Sequence, residues 1–252
     1  MLLNHLIYDR RKPKPAHYVS LNALFNEKPN ERNIGFDYNH SIESIFMSTF
    51  GFESELLEPI ANIGCPFILS NDRSGEEATQ RKYNGYPNWT VVFPVKKTKG
   101  YSVYHSKLWL IKFKTFLRVV VGTGNLHLAD WAVWANAFWW KDFPPIDKKK
   151  QQEEKGKKPS DSLAEDFKTT LKLAIKFMLP EDFGAKELNF DLDDYDYSEV
   201  DVILIPSVPG TFADEGEFGL SKVKKYLLKY GSIESSKREI LTCNTTSLGV
   251  VQ

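Results

Sequence analysis

The chain has 252 residues, 42% apolar and 13% aromatic, which suits one large folded domain with a sizeable core and excludes a disordered polymer. Basic and acidic side chains number 33 each, so no global charge points to a nucleic-acid or membrane partner, and any anion-binding face has to be local. Cys65 and Cys243 make neither a disulfide framework nor a metal site and fit a reducing compartment, while the apolar start is too short for a secretion signal and no run approaches the ~20 apolar residues of a membrane span.

Residues 1–18 read as a basic, proline-bearing, extended lead-in, with Arg10, Arg11, Lys12 and Lys14 around Pro13 and Pro15. Ser41 to Phe50 mixes polar and apolar residues as an amphipathic helix does, or a helix giving way to a strand. Pro66 to Leu69 reads as a short buried strand and Asn71 to Gly85 as a helix plus loop. Trp89 to Val95 is a strand, turned at Lys96 to Gly100. His105 to Ile111 and Arg118 to Val121 form the next pair, and Val133 to Trp140 a further strand, apolar on both faces. Lys148 to Ser162 is low in complexity, builds no core and is expected as a mobile loop. Leu163, Phe167, Leu171, Ile175 and Met178 then recur at helical spacing, with Ser162 or Asp161 as the cap. An acidic loop from Asp191 to Glu199 leads into a strand at Val200 to Ile205. A helix over about Gly219 to Lys229 follows, then a last strand, Ile240 to Cys243, before a Thr246-Ser247 turn. Alternating strands and helices, with no internal repeat, predict a single α/β sandwich over residues 1–252.

The chemistry concentrates in Tyr104-His105-Ser106-Lys107 and the turn Gly122-Thr123-Gly124-Asn125. Two residues apart on a strand, His105 and Lys107 share a face. The apolar run Leu117 to Val121 delivers Asn125 to a strand end. The three supply a nucleophile, a cation and an amide donor, a phosphoryl-transfer set that needs no metal. Each residue also has a plainer reading: a satisfied strand histidine, an exposed edge lysine, and a Thr-Gly-Asn of ordinary turn composition. The segment from Leu126 to Trp131 looks helical, and its backbone N–H groups would face the same anion. No His, Cys and Asp cluster has metal-ligand spacing, and no cofactor is called for.

His105-x-Lys107, Leu117-Arg118-Val119-Val120-Val121, Asn125-Leu126 and Ala129-Asp130-Trp131 together resemble the first half of 3′-type tyrosyl-DNA phosphodiesterases, a branch of the phospholipase D superfamily. Most of that superfamily carries an Asp where Lys112 stands; this branch uses the later Asn instead. Val202 to Phe212 is similar to the branch's strand and S-x-P-G-x-F turn, and Thr246-Ser247-Leu248-Gly249 to its phosphate-binding turn. The resemblance implies a phospholipase D-like α-β-α sandwich with a mixed sheet, one half of a pseudo-twofold core. It implies His105 as nucleophile, Lys107 as charge stabiliser and Asn125 as amide donor. Asn136 stands where the family places a glutamine beside the catalytic histidine, which implies an orienting role. Tyr101 aligns with a base-stacking aromatic, and Thr246, Ser247 and the backbone of Gly249 with DNA phosphate contacts. A loop anchor at Tyr101 and a simple strand-ending turn at Thr246-Ser247 are the competing readings. Lys222, Lys224 and Lys225 would either line a DNA groove or form a solvated face. His127 is assigned no role.

The resemblance implies removal of tyrosyl or other adducts from DNA 3′ ends through a phosphohistidine, in repair. Expected partners are DNA 3′ ends, single-stranded DNA and covalent topoisomerase-peptide adducts, and no membrane; the expected compartment is the nucleus, with the cytoplasm as alternative. The family has two H-x-K motifs, the second histidine serving as general acid. Of His5, His17, His40, His105 and His127, only His105 opens an H-x-K. Three explanations stand: a missing C-terminal half, a homodimer that builds one site from two copies, or a half-site that binds DNA ends without turnover. A general nuclease or lipid phosphodiesterase is the remaining alternative.

Overall fold

The computed structural model describes residues 20–28, 41–72, 80–83, 85–94, 103–132, 136–147, 162–180, 183, 185–208 and 217–230. Among them a seven-stranded sheet dominates: β1 (Ile42–Thr49), β2 (Phe67–Asn71), β3 (Gln80–Tyr83), β4 (Tyr86–Val92), β5 (Lys107–Phe113), β6 (Leu117–Gly122) and β7 (Phe138–Phe143). Their spatial order is β3-β4-β2-β1-β5-β6-β7. β1, β2 and β4 run parallel; β3 and β5 to β7 pair antiparallel with their neighbours. The sheet is therefore mixed, as expected.

Both faces are covered, which is why the central strands are apolar throughout. Alternation along β5 divides the two cores. Leu108 and Leu110 join Phe46 and Val119 under α3 (Leu163–Met178), whose Phe167, Leu171 and Ile175 point inward. Trp109 and Ile111 join Ile45, Met47 and Val120 on the opposite face. There α1 (Ser54–Ala61) contributes Leu56, Leu57 and Ile60, and a 3-10 turn at Leu21–Phe25 contributes Leu24 and Phe25. The result is the three-layer α-β-α sandwich. The α3 boundaries match the apolar spacing, and Ser162 is the cap, its Oγ accepting the Glu165 N–H at 3.2 Å.

Arg118 on β6 ties one layer to the sheet. It is fully buried, and Asp142 of β7 accepts from its Nε and Nη2 at 2.6 and 2.7 Å. Its remaining donors reach the carbonyls of Leu24, Asn26 and Glu27 at 2.6–3.1 Å. A planar five-donor fork is the side chain that can do this.

Four expectations are corrected. Ser41 to Phe50 is the buried strand β1, not a helix. Its polar positions that suggested amphipathicity are satisfied inside the fold, Ser44 by the Leu188 carbonyl at 2.6 Å and Ser48 at the neck of β5. Asn71 to Gly85 is not helical where described: it holds the end of β2 and the edge strand β3. The strand expected at Val133 to Trp140 lies at Phe138–Phe143, because the preceding residues close the Asn125 turn. Val200 to Ile205 joins no ladder among the described residues. Its alternation serves packing instead, Val202 and Leu204 lying against the α3-side core. α4 (Ala185–Leu188) and α5 (Gly219–Tyr230) complete the described helices. Lys222 of α5 is buried, 3.0 Å from Asp166 and bonded to the Thr170 hydroxyl, so it anchors α5 on α3 and does not line a groove. The lead-in 1–18, nearly all of the 148–162 loop and the strand at Ile240 to Cys243 lie outside the described residues. No described helix is long and apolar enough to cross a membrane.

Candidate active site

The His-Lys pair sits at the mouth of β5. His105 immediately precedes the strand and Lys107 opens it, directly opposite Gly122 at the end of β6. The backbone there is pinned from two sides. Ser48 of β1 accepts the Leu108 N–H at 2.9 Å, with its Oγ 3.0 Å from the Ser106 carbonyl. The Tyr104 N–H donates to the buried Asp72 carboxylate. Tyr104 itself is buried, which pushes its phenol above the usual range. Phe50, leaving β1, stacks on the His105 ring with centroids 4.9 Å apart and planes 29° apart. An exposed imidazole is thereby held in one plane.

Lys107 is only 4% exposed, although it carries an ammonium. Its Nζ donates to the His105 carbonyl at 2.8 Å and lies 2.5 Å from His105 Nδ1 and 3.5 Å from Nε2. Burial lowers the lysine to about 8, with Asp130 acting in the opposite direction. Burial also lowers His105, and the neighbouring Lys107 charge lowers it further, against the opposing pull of Asp72 and Asp130. Near neutral pH the pair is thus a neutral imidazole beside a cation, the protonation state that an attack on phosphorus requires.

The Asn125 turn is built by close packing. A Cβ at Gly122 would meet the Phe138 ring at 2.2 Å, and one at Gly124 would meet the Asn136 amide at 2.9 Å. The Asn125 N–H donates to Asp130 Oδ1 at 3.2 Å, and the Asn125 carbonyl accepts from Trp131 Nε1 at 2.9 Å. Trp131, from the short helix α2 (Leu128–Ala132), stacks on Phe138 with centroids 4.8 Å apart. The Asn125 Oδ1 is buried without a hydrogen-bond partner among the described residues.

Of the residues singled out in the sequence, the fold brings His105 and Lys107 into contact and sets Asn125 three residues beyond the strand position opposite Lys107. Asn136, expected to orient the imidazole, is bonded within the Asn125 turn. Its Nδ2 donates to the Asp130 carbonyl at 2.6 Å and its Oδ1 accepts from the Thr123 hydroxyl at 2.9 Å, so it braces the turn. Tyr101, Thr246, Ser247 and Gly249 lie outside the described residues. His127 packs over Gly51 with Nδ1 3.5 Å from Glu53, a scaffold contact. Lys112 is at the far end of β5, paired with Glu43 at 3.1 Å. Sequence reasoning missed Phe50, Asp72 and Asp130. Asp130 alone left a local signal, five residues past Asn125 in the same motif block. No group of three or more metal-binding side chains occurs among the described residues.

A family model described as tyrosyl-DNA phosphodiesterase matches residues 12–252. Tyrosyl-DNA phosphodiesterase 1 of Arabidopsis thaliana is 28% identical over 194 residues, which is 75% of this chain and 31% of that protein. The chain therefore spans about a third of the length of this curated relative. Yeast tyrosyl-DNA phosphodiesterase, 9% identical, superposes over 64% of this chain and 37% of its own with a TM-score of 0.43. A histidine-to-alanine variant of the yeast enzyme, also 9% identical, covers 64% of this chain and 36% of its own with a TM-score of 0.44. The motif block that suggested the family lies inside a match that runs over nearly the whole sequence, and the chain belongs to the tyrosyl-DNA phosphodiesterase family.

Proposed function

We propose that this chain supplies the nucleophilic half of a 3′-end DNA phosphodiesterase that removes tyrosyl or other adducts in DNA repair. The observation that carries the reading is the His105–Lys107 contact at 2.5 Å, beside the Asn125 turn. Lys107 donates to Nδ1 in the resting site. An entering phosphodiester draws the ammonium to its non-bridging oxygens, which releases the imidazole to attack phosphorus. A bond forms between a ring nitrogen and phosphorus as the bond to the adduct oxygen breaks. Lys107 and the Asn125 amide then balance the charge that builds on the phosphoryl oxygens. The leaving oxygen needs a proton, and water must later be activated to release the phosphohistidine. A second histidine from a complementary half or a second copy of the chain would serve both steps. The nucleus is the compartment in which such a substrate arises.

The test is cleavage of a 3′-phosphotyrosyl oligonucleotide in EDTA, comparing the chain with His105→Ala on a denaturing gel. Cleavage by the first and none by the second is expected if the site is complete. Equal cleavage by both sinks the reading. The single H-x-K favours one further reading, a half-site that binds DNA 3′ ends without turnover. That reading requires salt-sensitive end binding that survives His105→Ala while neither protein cleaves.

A further inference from the structure

We propose that Phe50 is a nucleoside-binding residue of this site, its exposed ring receiving the base attached through the 3′-oxygen of the phosphodiester that His105 attacks. The inference rests on the reading of His105, Lys107 and Asn125 as one phosphate site. Phe50 is 37% exposed, and it is the one aromatic among the exposed large apolar side chains of the described residues. One face of its ring lies against the His105 imidazole, centroids 4.9 Å apart and planes 29° apart, so the surface it gives to solvent adjoins the nucleophile. Its main chain is held between two segments. The buried Asn71, at the end of β2, donates Nδ2 to the Phe50 carbonyl at 3.0 Å. The next carbonyl, of Gly51, accepts from the Thr49 hydroxyl at 2.8 Å and from the Leu126 N–H at 3.1 Å, beside the Asn125 turn. A large ring open to water yet fixed at its root is a prepared surface, and stacking on it costs little further ordering.

The stereochemistry of displacement decides what meets that surface. The lone pair of a neutral imidazole lies in the ring plane, so phosphorus approaches within that plane. Attacking nitrogen and leaving oxygen take opposite apical positions, in line with each other. The adduct therefore departs away from the imidazole, and the other three oxygens lie across the N–P axis, out of the ring plane as well as in it. Two of them are non-bridging and charged, and the Lys107 ammonium and the Asn125 turn are their partners. The third is the esterified 3′-oxygen, uncharged and carrying the nucleoside. Its substituent is left with the apolar side of the site, and Phe50 is the apolar group on a face of the imidazole. Every base has a π-face, so such a stack tolerates any sequence, whereas a lipid phosphodiester offers no flat ring to it. Tyr101, for which the resemblance implies base stacking, belongs to a different segment of the chain, and Phe50 is a surface additional to it.

The probes are thymidine 3′-phosphate and inorganic phosphate, bound to the full chain at pH 7 and followed by NMR titration. Wild type is expected to prefer the nucleotide by at least about fivefold, the lower end of what a base–aromatic stack supplies. Phe50→Leu keeps an apolar side chain without a flat face and should lose that preference; Phe50→Tyr should keep it. A preference that survives Phe50→Leu, including an equal weakening of both ligands, overturns the proposal, because the ring then acts only by holding His105. A wild type that binds phosphate but does not prefer the nucleotide overturns it too, and leaves the phosphate site standing. A wild type that binds neither ligand, or binds phosphate no better than Lys107→Met does, overturns the phosphate-site reading and the proposal with it. Should Phe50→Leu fail to fold, nuclear Overhauser contacts between the thymine and Phe50 rings in wild type decide: their presence supports the proposal and their absence overturns it. None of these readouts needs turnover, so a chain that cleaves nothing still decides it.

Discussion

Replacing Lys107 by methionine should stabilise the fold and abolish the chemistry. The buried lysine is lowered from 10.5 to about 8, a difference of roughly 2.5 units. At about 1.36 kcal/mol per unit, the charged form carries about 3 kcal/mol of destabilisation in the folded chain. Methionine removes that term and keeps a flexible apolar stem of similar length. It also removes the hydrogen bond to the His105 carbonyl, which costs about 1 kcal/mol. A net gain of about 2 kcal/mol remains at pH 7, or roughly 4–8 °C in Tm for a chain of this size. The pH dependence gives the effect its signature. The folded lysine titrates lower than the unfolded one, so between pH 8 and 10.5 the unfolded chain holds a proton that the folded chain has lost. Wild-type stability therefore rises relative to the variant across that window, and the variant's advantage disappears at its top. Urea unfolding followed by tryptophan fluorescence at pH 7 and pH 10 measures both quantities. Cleavage or phosphate binding should fall at least about a hundredfold in the same variant. A methionine variant less stable than wild type at pH 7, or an advantage equal at both pH values, refutes the reasoning.

The other consequences concern the pH profile, the buried arginine and the turn. If the chain turns over, its rate should follow a bell, with an acid limb below the ordinary histidine value of 6.5 and an alkaline limb near 8; steady-state rates from pH 5 to 9 measure this, and an alkaline limb near 10 contradicts a buried Lys107. Arg118→Met leaves Asp142 and three carbonyls without their donor and should cost about 3–5 kcal/mol in chemical denaturation, whereas a loss under about 1 kcal/mol contradicts the network described for it. Gly122→Ala drives a Cβ into Phe138, which stacks on Trp131, so it should cost about 1–3 kcal/mol and weaken phosphate binding at the adjoining turn; unchanged binding by calorimetry separates the turn from the site.

The fold was legible where one period decided the element. The α3 spacing of Leu163, Phe167, Leu171 and Ile175 belongs to no other structure, and its cap stands next to it. Patterning misled where tertiary contacts absorbed the polar residues. β1 reads as amphipathic because Ser44 and Ser48 interrupt its apolar run, yet both hydroxyls find backbone carbonyls inside the sandwich. The segment from Val200 to Ile205 failed in the opposite sense. It has a strand's alternation, but its apolar side chains serve the helical layer, and alternation alone carries no information about a ladder. Arg118 stood in plain view inside the apolar run of β6, and nothing in that run says that three carbonyls before β1 would meet it.

The site divides along the same line. His105 and Lys107 could be paired in advance because a two-residue spacing near a strand fixes their common face, whatever the rest of the chain does. Their protonation states could not, since these depend first on burial by the surrounding layers and then on Asp72 and Asp130, which arrive from the end of β2 and from α2. The sequence motif therefore specifies which groups meet, and the surrounding layers specify which of them is charged. A lysine nearly removed from water is costly for stability, and its hydrogen-bond partners among the described residues are the His105 ring and carbonyl, neither of which is charged near neutral pH. A methionine would fill the same space at less cost. A buried, destabilising cation beside a neutral histidine is the physical reason to read the mouth of β5 as a site for an anion and not as a strand end that happens to carry two basic residues.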